Sequence, residues 1–353
     1  MRILYQSPVS WSWIRQRPHF VVEGLAHSGQ EIVWLYAANF LRCRRLDMRI
    51  GRLRVVEVPV LPWAYRCGLI AYINRWLVDR ALRDVHPEGL IMTVPFAACL
   101  LPKRILELPI VYDCMDVQTA FFLGKRREVT ARLEDDLVRG SRAIIATSPM
   151  IAEHLALNYG APLERLSVVA NGIDLAVIRT AVVAPEWRNV AYFGTISSWF
   201  DWNSVCQAAK ELPQVSFDLY GPVDGQIPLG CPKNIILHGP VEHAMAIELM
   251  HESSVLIMPF VRNELIDGVD PVKMYEYLAV GRPIVASWWP LLEKFASCPA
   301  VMFYGHEMSL SQCLRYALST DCICPIPYEF LNGNSWARRI EEINRIILAN
   351  MMK

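Results

Sequence analysis

At 353 residues, with 53% hydrophobic and 20% charged side chains, the chain is too long for one ordinary core and too apolar to be disordered, and two domains of about 150–200 residues fit it. The formal net charge of zero hides an asymmetry: residues 1–180 carry 23 Lys and Arg against 17 Asp and Glu, the rest 12 against 18, so the halves stand at +6 and −6 and point to different partners. No apolar run reaches the roughly 18 residues of a membrane span, and "MRILYQSPVS" lacks the apolar region of a signal peptide, so a cytosolic chain with reduced cysteines is expected.

The ten cysteines contain no Cys-x-x-Cys pair, and Cys322 with Cys324 lacks the second half of a zinc site. No metal and no resident cofactor is expected.

In chain order, apolar strands fall at 2–6, 31–36, 53–58, 89–93, 109–114, 143–148 and 166–171. Helical patterns at 14–28, 69–84, 128–140 and 149–158 separate most of them. The alternation restarts with strands at 189–194, 215–221, 234–239, 254–260, 282–287 and 300–305. Helices near 201–211, 242–252, 271–280, 288–296 and 307–319 lie between and after these strands. Continuous apolar strands alternating with helices predict parallel sheets covered on both faces. The fold class is therefore α/β, with two doubly wound Rossmann-like domains facing a cleft. The divisions are a first domain at 1–172, a linker at 173–188, a second domain at 189–334, and an amphipathic helix within 335–353 that crosses back to the first domain.

Neither first strand is followed by G-x-G-x-x-G, and no G-x-x-x-x-G-K-[ST] or G-x-S-x-G occurs. Dinucleotide enzymes, P-loop NTPases and α/β-hydrolases are disfavoured. The segment "DPVKMYEYLAVGRPIVAS" (270–287) carries more. Asp270 suits a helix cap, Pro271 the first helical position and Gly281 the left-handed residue after the end. Lys273, Glu276, Tyr277 and Val280 share one face. On spacing alone, Lys273 and Glu276 are a local surface pair worth a few tenths of a kcal/mol. The competing reading gives two sugar hydroxyls to Glu276 and a diphosphate to Lys273, near a helix end suited to phosphate.

In the first half, "SWIRQRPHF" supplies Arg15, Arg17 and His19, and "PIVYDCMD" ends on Asp113 and Asp116. Solvated arginines beside a helix cap, a packed histidine and a turn aspartate are the plain alternatives. The run 41–54 holds six arginines, and 60–76 adds Trp63, Tyr65, Tyr72 and Trp76. Basic clusters beside interfacial aromatics suit an anionic membrane surface or a lipid-diphosphate acceptor. A solvated basic face is the plain alternative, and no nucleic-acid module is found.

The segment 270–287 resembles the nucleotide-sugar motif of GT-B fold glycosyltransferases, in particular family 4 and its teichuronic-acid and exopolysaccharide-building relatives. "WSWIRQRPHFVVEGLAHSG" (11–29), "VYDCMD" (111–116), "VVANGID" (168–174) and "VAYFGTISSWFDW" (190–202) resemble further family segments in order. The resemblance implies that Glu276 is the second Glu of a Glu-x7-Glu pattern holding the donor ribose. The first Glu falls at Gly268, with Asp267 or Asp270 as substitutes. The family's Arg and Lys after the first strand of the second domain are missing from "GTISSWFDWN". Lys273 and Arg262 stand in for them, supported by the Gly194 and Thr195 amides, and Gly221, His238, Asp270 and Tyr275 complete the donor set.

By the same resemblance the chain would be a glycosyltransferase that moves a sugar from a nucleotide-sugar, with UDP favoured, to a glycan or polyprenyl-linked acceptor in cell-surface polysaccharide biosynthesis. It would retain configuration, need no metal, and work in the cytoplasm or peripherally on the inner face of the membrane. Lys273 and Glu276 would serve the chemistry with Asp116, and Arg15, Arg17, His19 and Asp113 the acceptor. A nucleotide-sugar epimerase on the same fold and a catalytically lapsed glycan-binding scaffold are the rivals.

Overall fold

The computed structural model describes residues 1–39, 46–178, 189–305, 307–319 and 326–351. The chain divides into two compact units, Met1–Ala170 with the segment from Trp336 onward, and Asn171–Ser335. Of the expected linker, 173–178 belongs to the second unit and 179–188 lies outside the described residues.

The first unit holds β1 (Arg2–Ser7), β2 (Glu31–Asn39), β3 (Asp47–Ile50), β4 (Leu53–Val60), β5 (Gly89–Met92), β6 (Ile110–Cys114), β7 (Ala143–Ala146) and β8 (Leu166–Val168). They form one sheet in the order β3-β4-β2-β1-β5-β6-β7-β8. All pairs are parallel except β3 with β4. Helices α1 (Arg17–His27), α2 (Gly68–Ala81), α3 (Lys103–Leu106), α4 (Gly124–Gly140) and α5 (Pro149–Tyr159) connect them. Strand β3 is absent from the sequence-based expectation. All four of its residues are exposed, and it folds back over Gly51, at φ 57°, onto β4. An edge strand with both faces wet leaves no apolar alternation to read.

The C-terminal helix Trp336–Met351 packs within this first unit. It buries Trp336, Ile340, Ile343, Ile347 and Met351 at helical spacing. Trp336 stacks on Phe20 of α1 at 4.8 Å. Gly24 of α1 lets the helices approach, because a Cβ there would lie 2.5 Å from Ile340. Each buried Ile contributes about 2 kcal/mol.

The second unit holds β9 (Asn189–Phe193), β10 (Ser216–Tyr220), β11 (Ile235–Gly239), β12 (Val255–Met258), β13 (Ile284–Ser287) and β14 (Val301–Tyr304). The order is β11-β10-β9-β12-β13-β14, all parallel. Helices α6 (Trp202–Glu211), α7 (His243–Glu252), α8 (Glu264–Gly268), α9 (Val272–Val280), α10 (Leu310–Ser319) and α11 (Tyr328–Gly333) surround it. Two apolar clusters, one around Met274, Tyr277 and Trp289 and one around Val205, Phe217 and Leu314, form its core. The helix expected at 288–296 is a 3-10 helix at Pro290–Phe295. Strand order reverses between β9 and β12, and the carboxyl ends of strands at such a reversal are where open α/β sheets bind ligands.

Candidate functional site

The loops leaving β9 and β12 are tied together. The Asp201 amide donates to the Pro259 carbonyl at 2.8 Å, and the Val261 amide to Trp199 at 2.7 Å. Helix α9 buries Met274, Tyr275, Tyr277 and Leu278. It begins after Pro271 and stops at Gly281, at φ 76°, whose amide donates to the Tyr277 and Leu278 carbonyls. The Phe193 amide at the end of β9 donates to the Tyr277 hydroxyl at 2.9 Å, fixing the helix to the strand.

On α9, Lys273 Nζ donates to Glu276 Oε2 at 2.5 Å, and His243 Nε2 at the start of α7 lies 3.0 Å from Oε1. The Glu276 side chain is 1% exposed, against 17% for Lys273 and 23% for His243. Burial pushes the carboxyl up, but Lys273 and then His243 outweigh it and hold the group below its ordinary range. The expected surface ion pair is thus formed but buried. His243 was not among the expected residues, and its partnership with Glu276 comes from chain segments 33 residues apart.

Other expectations are corrected. Asp270 does not cap α9: the cap residue is Pro271, and no side chain bonds there. Its fully buried carboxylate accepts instead from the Asn171 amide at 2.7 Å, Lys294 at 2.6 Å and the Tyr275 hydroxyl at 3.0 Å. Tyr275 lies in the core with its ring 5.6 Å from Phe295, which places it inside the unit and away from a ligand surface. Arg262 pairs with Asp267 at 2.6 Å and lies over Trp288, with its side chain 51% exposed, so one replacement cation and one replacement carboxylate face each other at the surface. The Gly194 amide donates to the Tyr220 carbonyl at 2.9 Å, which removes it as a phosphate donor in this conformation. Thr195 remains at the loop, its carbonyl accepting from the Tyr192 hydroxyl at 2.9 Å. Gly221 packs on Gly194 so closely that a Cβ would enter the Gly194 carbonyl. His238 pairs with Asp218 at 2.8 Å and stacks on Tyr220, which stacks on Phe193.

In the first unit, Arg17 and Asp113 form a buried ion pair at 2.9 Å, each 2% exposed. Arg17 also donates to the Val169 and Ala170 carbonyls. In this structure both side chains are buried and engaged with each other and, for Arg17, with those carbonyls. His19 is buried between Trp11 and Trp34, and burial pushes its imidazole down to about 4. Its ring nitrogens meet the Gln16 amide and the Trp11 carbonyl. Arg15 makes a bidentate pair with Glu23 and lies over Phe20. Asp116 is partly exposed by area, yet its carboxyl sits within dense protein and is pushed up to about 6 by burial. That value suits a proton carrier near neutral pH.

Residues 19–177 match the model of Glycosyltransferase Family 4. A protein of Bacillus subtilis (strain 168) named as a teichuronic acid biosynthesis glycosyltransferase, TuaH, is 25% identical over 207 residues. The match covers 52% of this chain, and the chain spans about half the length of that relative, 52%. Among solved structures, sucrose-phosphate synthase (tll1590) from Thermosynechococcus elongatus aligns with TM-score 0.76 and 11% identity over 99% of both chains. Anabaena Alr3699/HepE in complex with UDP-glucose aligns with TM-score 0.71 and 14% identity, covering 99% of this chain and 100% of that one. At these identities the likeness is one of fold, and the fold is GT-B.

Proposed function

We propose that this chain, a GT-B protein of the family 4 glycosyltransferase type whose residues 19–177 match that family, transfers a sugar from a nucleotide-sugar to a glycan in polysaccharide biosynthesis. The observation that carries the reading is the Lys273–Glu276–His243 cluster beside the strand-order reversal of the second unit. A buried carboxylate is expensive to hold unless it is paired, and two nitrogens converge on this one. As the anomeric bond breaks, negative charge develops on the leaving diphosphate. Fixed cations and hydrogen-bond donors stabilise that charge in the transition state. Lys273 is assigned this role, with Thr195 at the adjoining loop.

UDP is the proposed donor nucleotide, supported by the UDP-glucose complex of the Anabaena structure. Retention of configuration and activity without a metal belong to the same proposal. A retaining transfer needs no strong general base, and Asp116 is the proton carrier if the outcome is inversion. The teichuronic acid role in the name of the Bacillus relative supports a cell-envelope glycan acceptor. No helix among the described residues is long and apolar enough to cross a membrane. Peripheral contact with the cytoplasmic membrane face is proposed through α2, whose Leu69, Tyr72 and Trp76 are exposed on one stripe near exposed Trp63. Of the basic run, residues 41–45 lie outside the described residues.

The test is thermal shift against nucleoside diphosphates and nucleotide-sugars, followed by transfer assays with and without acceptor and in excess chelator. Donor conversion without acceptor would favour an epimerase. Absence of any nucleotide binding would favour the glycan-binding scaffold.

A further inference from the structure

The cluster around Glu276 has an order of exposure that reverses the simplest assignment. The carboxylate is 1% exposed, while the groups bound to its two oxygens are the more open ones, His243 at 23% and Lys273 at 17%. A ligand entering here meets an imidazole and an ammonium before it meets the carboxylate. Arg262, the other cation expected on the donor side, pairs with Asp267 at the surface at 2.6 Å and lies over Trp288, away from Glu276's two oxygens, which are taken by His243 and Lys273. Asp267 and Asp270, the stand-ins for the carboxylate missing at Gly268, are likewise bound, the second with a fully buried side chain. Among the described residues expected on the donor side, none supplies a second polar side chain at Glu276; the structure supplies His243.

We propose that His243 contacts the donor nucleotide together with Lys273, and that Glu276 is the buried support that orients both. The inference rests on the glycosyltransferase reading and names a residue for it. The geometry divides the two oxygens of Glu276 between the partners. Oε1 faces Nε2 of His243 at 3.0 Å, and Oε2 receives Lys273. A carboxylate engaged at both oxygens fixes the ring plane of His243 and the direction of the ammonium. This is how an outer carboxylate commonly orients a functional histidine. The two supported groups come from different helices, α7 and α9, so the nucleotide would bridge the two.

The experiment is titration calorimetry with UDP and with GDP on the wild-type chain, His243→Ala and His243→Gln, with donor and acceptor KM measured in parallel. The glutamine amide can still donate to Oε1, so it keeps the support of Glu276 and removes the ring. Both variants are expected to lose about tenfold or more in nucleotide affinity, the scale of a hydrogen bond to a charged group. Donor KM should rise by a similar factor while acceptor KM stays within twofold. Wild-type affinity in His243→Ala overturns the assignment. Full recovery in His243→Gln also overturns it, since His243 would then only steady Glu276. If the alanine variant does not fold, the glutamine variant carries the test by itself. A wild-type chain that binds neither nucleotide removes the functional reading and this inference with it, an outcome visible before any substitution is made.

Discussion

Lys273 and Glu276 meet across one helical turn at 2.5 Å, and the carboxylate in that contact is 1% exposed. An exposed pair at this spacing contributes a few tenths of a kcal/mol. Here the pair is buried, and the terms grow on both sides: desolvation opposes ionisation, while Lys273 and His243 prevail and keep Glu276 charged at neutral pH.

Glu276→Ala is therefore expected to raise donor KM strongly or abolish transfer, by about 100-fold or more, with the far-UV circular dichroism of a folded chain. It leaves a Lys273 that is only 17% exposed without its partner, so stability should also fall, by about 3 kcal/mol. Urea unfolding and initial rates check both. Transfer at the wild-type rate would remove the central assignment.

The pair Arg17–Asp113 leads to the opposite expectation. It pins the start of α1 to β6 and to the carbonyls of Val169 and Ala170. Arg17→Ala should cost about 3–5 kcal/mol or prevent folding. Arg17→Lys should recover little, because a lysine cannot reproduce the forked contacts. Urea midpoints measure this. A fully stable Arg17→Ala whose acceptor KM alone has risen would restore Arg17 to the acceptor site.

Legibility in the sequence depends on where each residue finds its partners. Buried parallel strands such as "SVLIMPF" and "RPIVAS" are legible because both faces are apolar, and the structure has strands at Val255–Met258 and Ile284–Ser287. Gly281 ends α9 as its local chemistry predicts. Strand β3 was missed because nothing in it is buried. The site was legible where its partners are local, as with Lys273 and Glu276. It was illegible where they are distant: Asp270 accepts from Asn171 and Lys294 as well as from Tyr275 instead of capping the helix, and Glu276 finds His243 on another helix. A charged residue near a helix start looks the same in sequence whether it caps, binds or pairs far away.

Gly221 gives a backbone test of the donor side. Its φ is 144°, and a Cβ there would penetrate the Gly194 carbonyl. Gly221→Ala should displace the loop that begins at Gly194 and cost about 2 kcal/mol. Nucleotide affinity should fall as well. Calorimetry on the folded variant measures this, and unchanged affinity would place the nucleotide away from the Gly194–Thr195 loop.

The exposed stripe on α2 predicts binding to anionic vesicles. Leu69, Tyr72 and Trp76 point outward at helical spacing, and Arg80 lies over the Trp76 ring. Replacing Leu69, Tyr72 and Trp76 together by serine should reduce co-sedimentation with vesicles rich in anionic lipid by about tenfold or more. Donor KM in solution should be unaltered. Equal sedimentation of variant and wild type, or no vesicle binding by the wild type, would remove the membrane contact from the functional reading.

Two titratable groups of the first unit oppose each other in acid. Burial pushes His19 from 6.5 down to about 4 and Asp116 from 3.8 up to about 6. As pH falls from 6.5 towards 4, the unfolded chain gains a proton at His19 that the native chain refuses, so stability drops. Over nearly the same window the native chain takes a proton at Asp116 that the unfolded chain does not hold, so stability rises. Each effect amounts to about 3 kcal/mol across its window, and in the wild type they largely cancel. Asp116→Asn removes the second alone. Its stability should exceed that of the wild type by up to about 3 kcal/mol at pH 7, and the difference should vanish near pH 4, giving the variant the steeper loss in acid. His19→Gln should tilt the profile the other way, its stability relative to wild type improving as pH falls. Urea unfolding at half-unit steps from pH 4 to 7 reads both slopes, and parallel profiles for Asp116→Asn and wild type would show that Asp116 is not held protonated in the native chain.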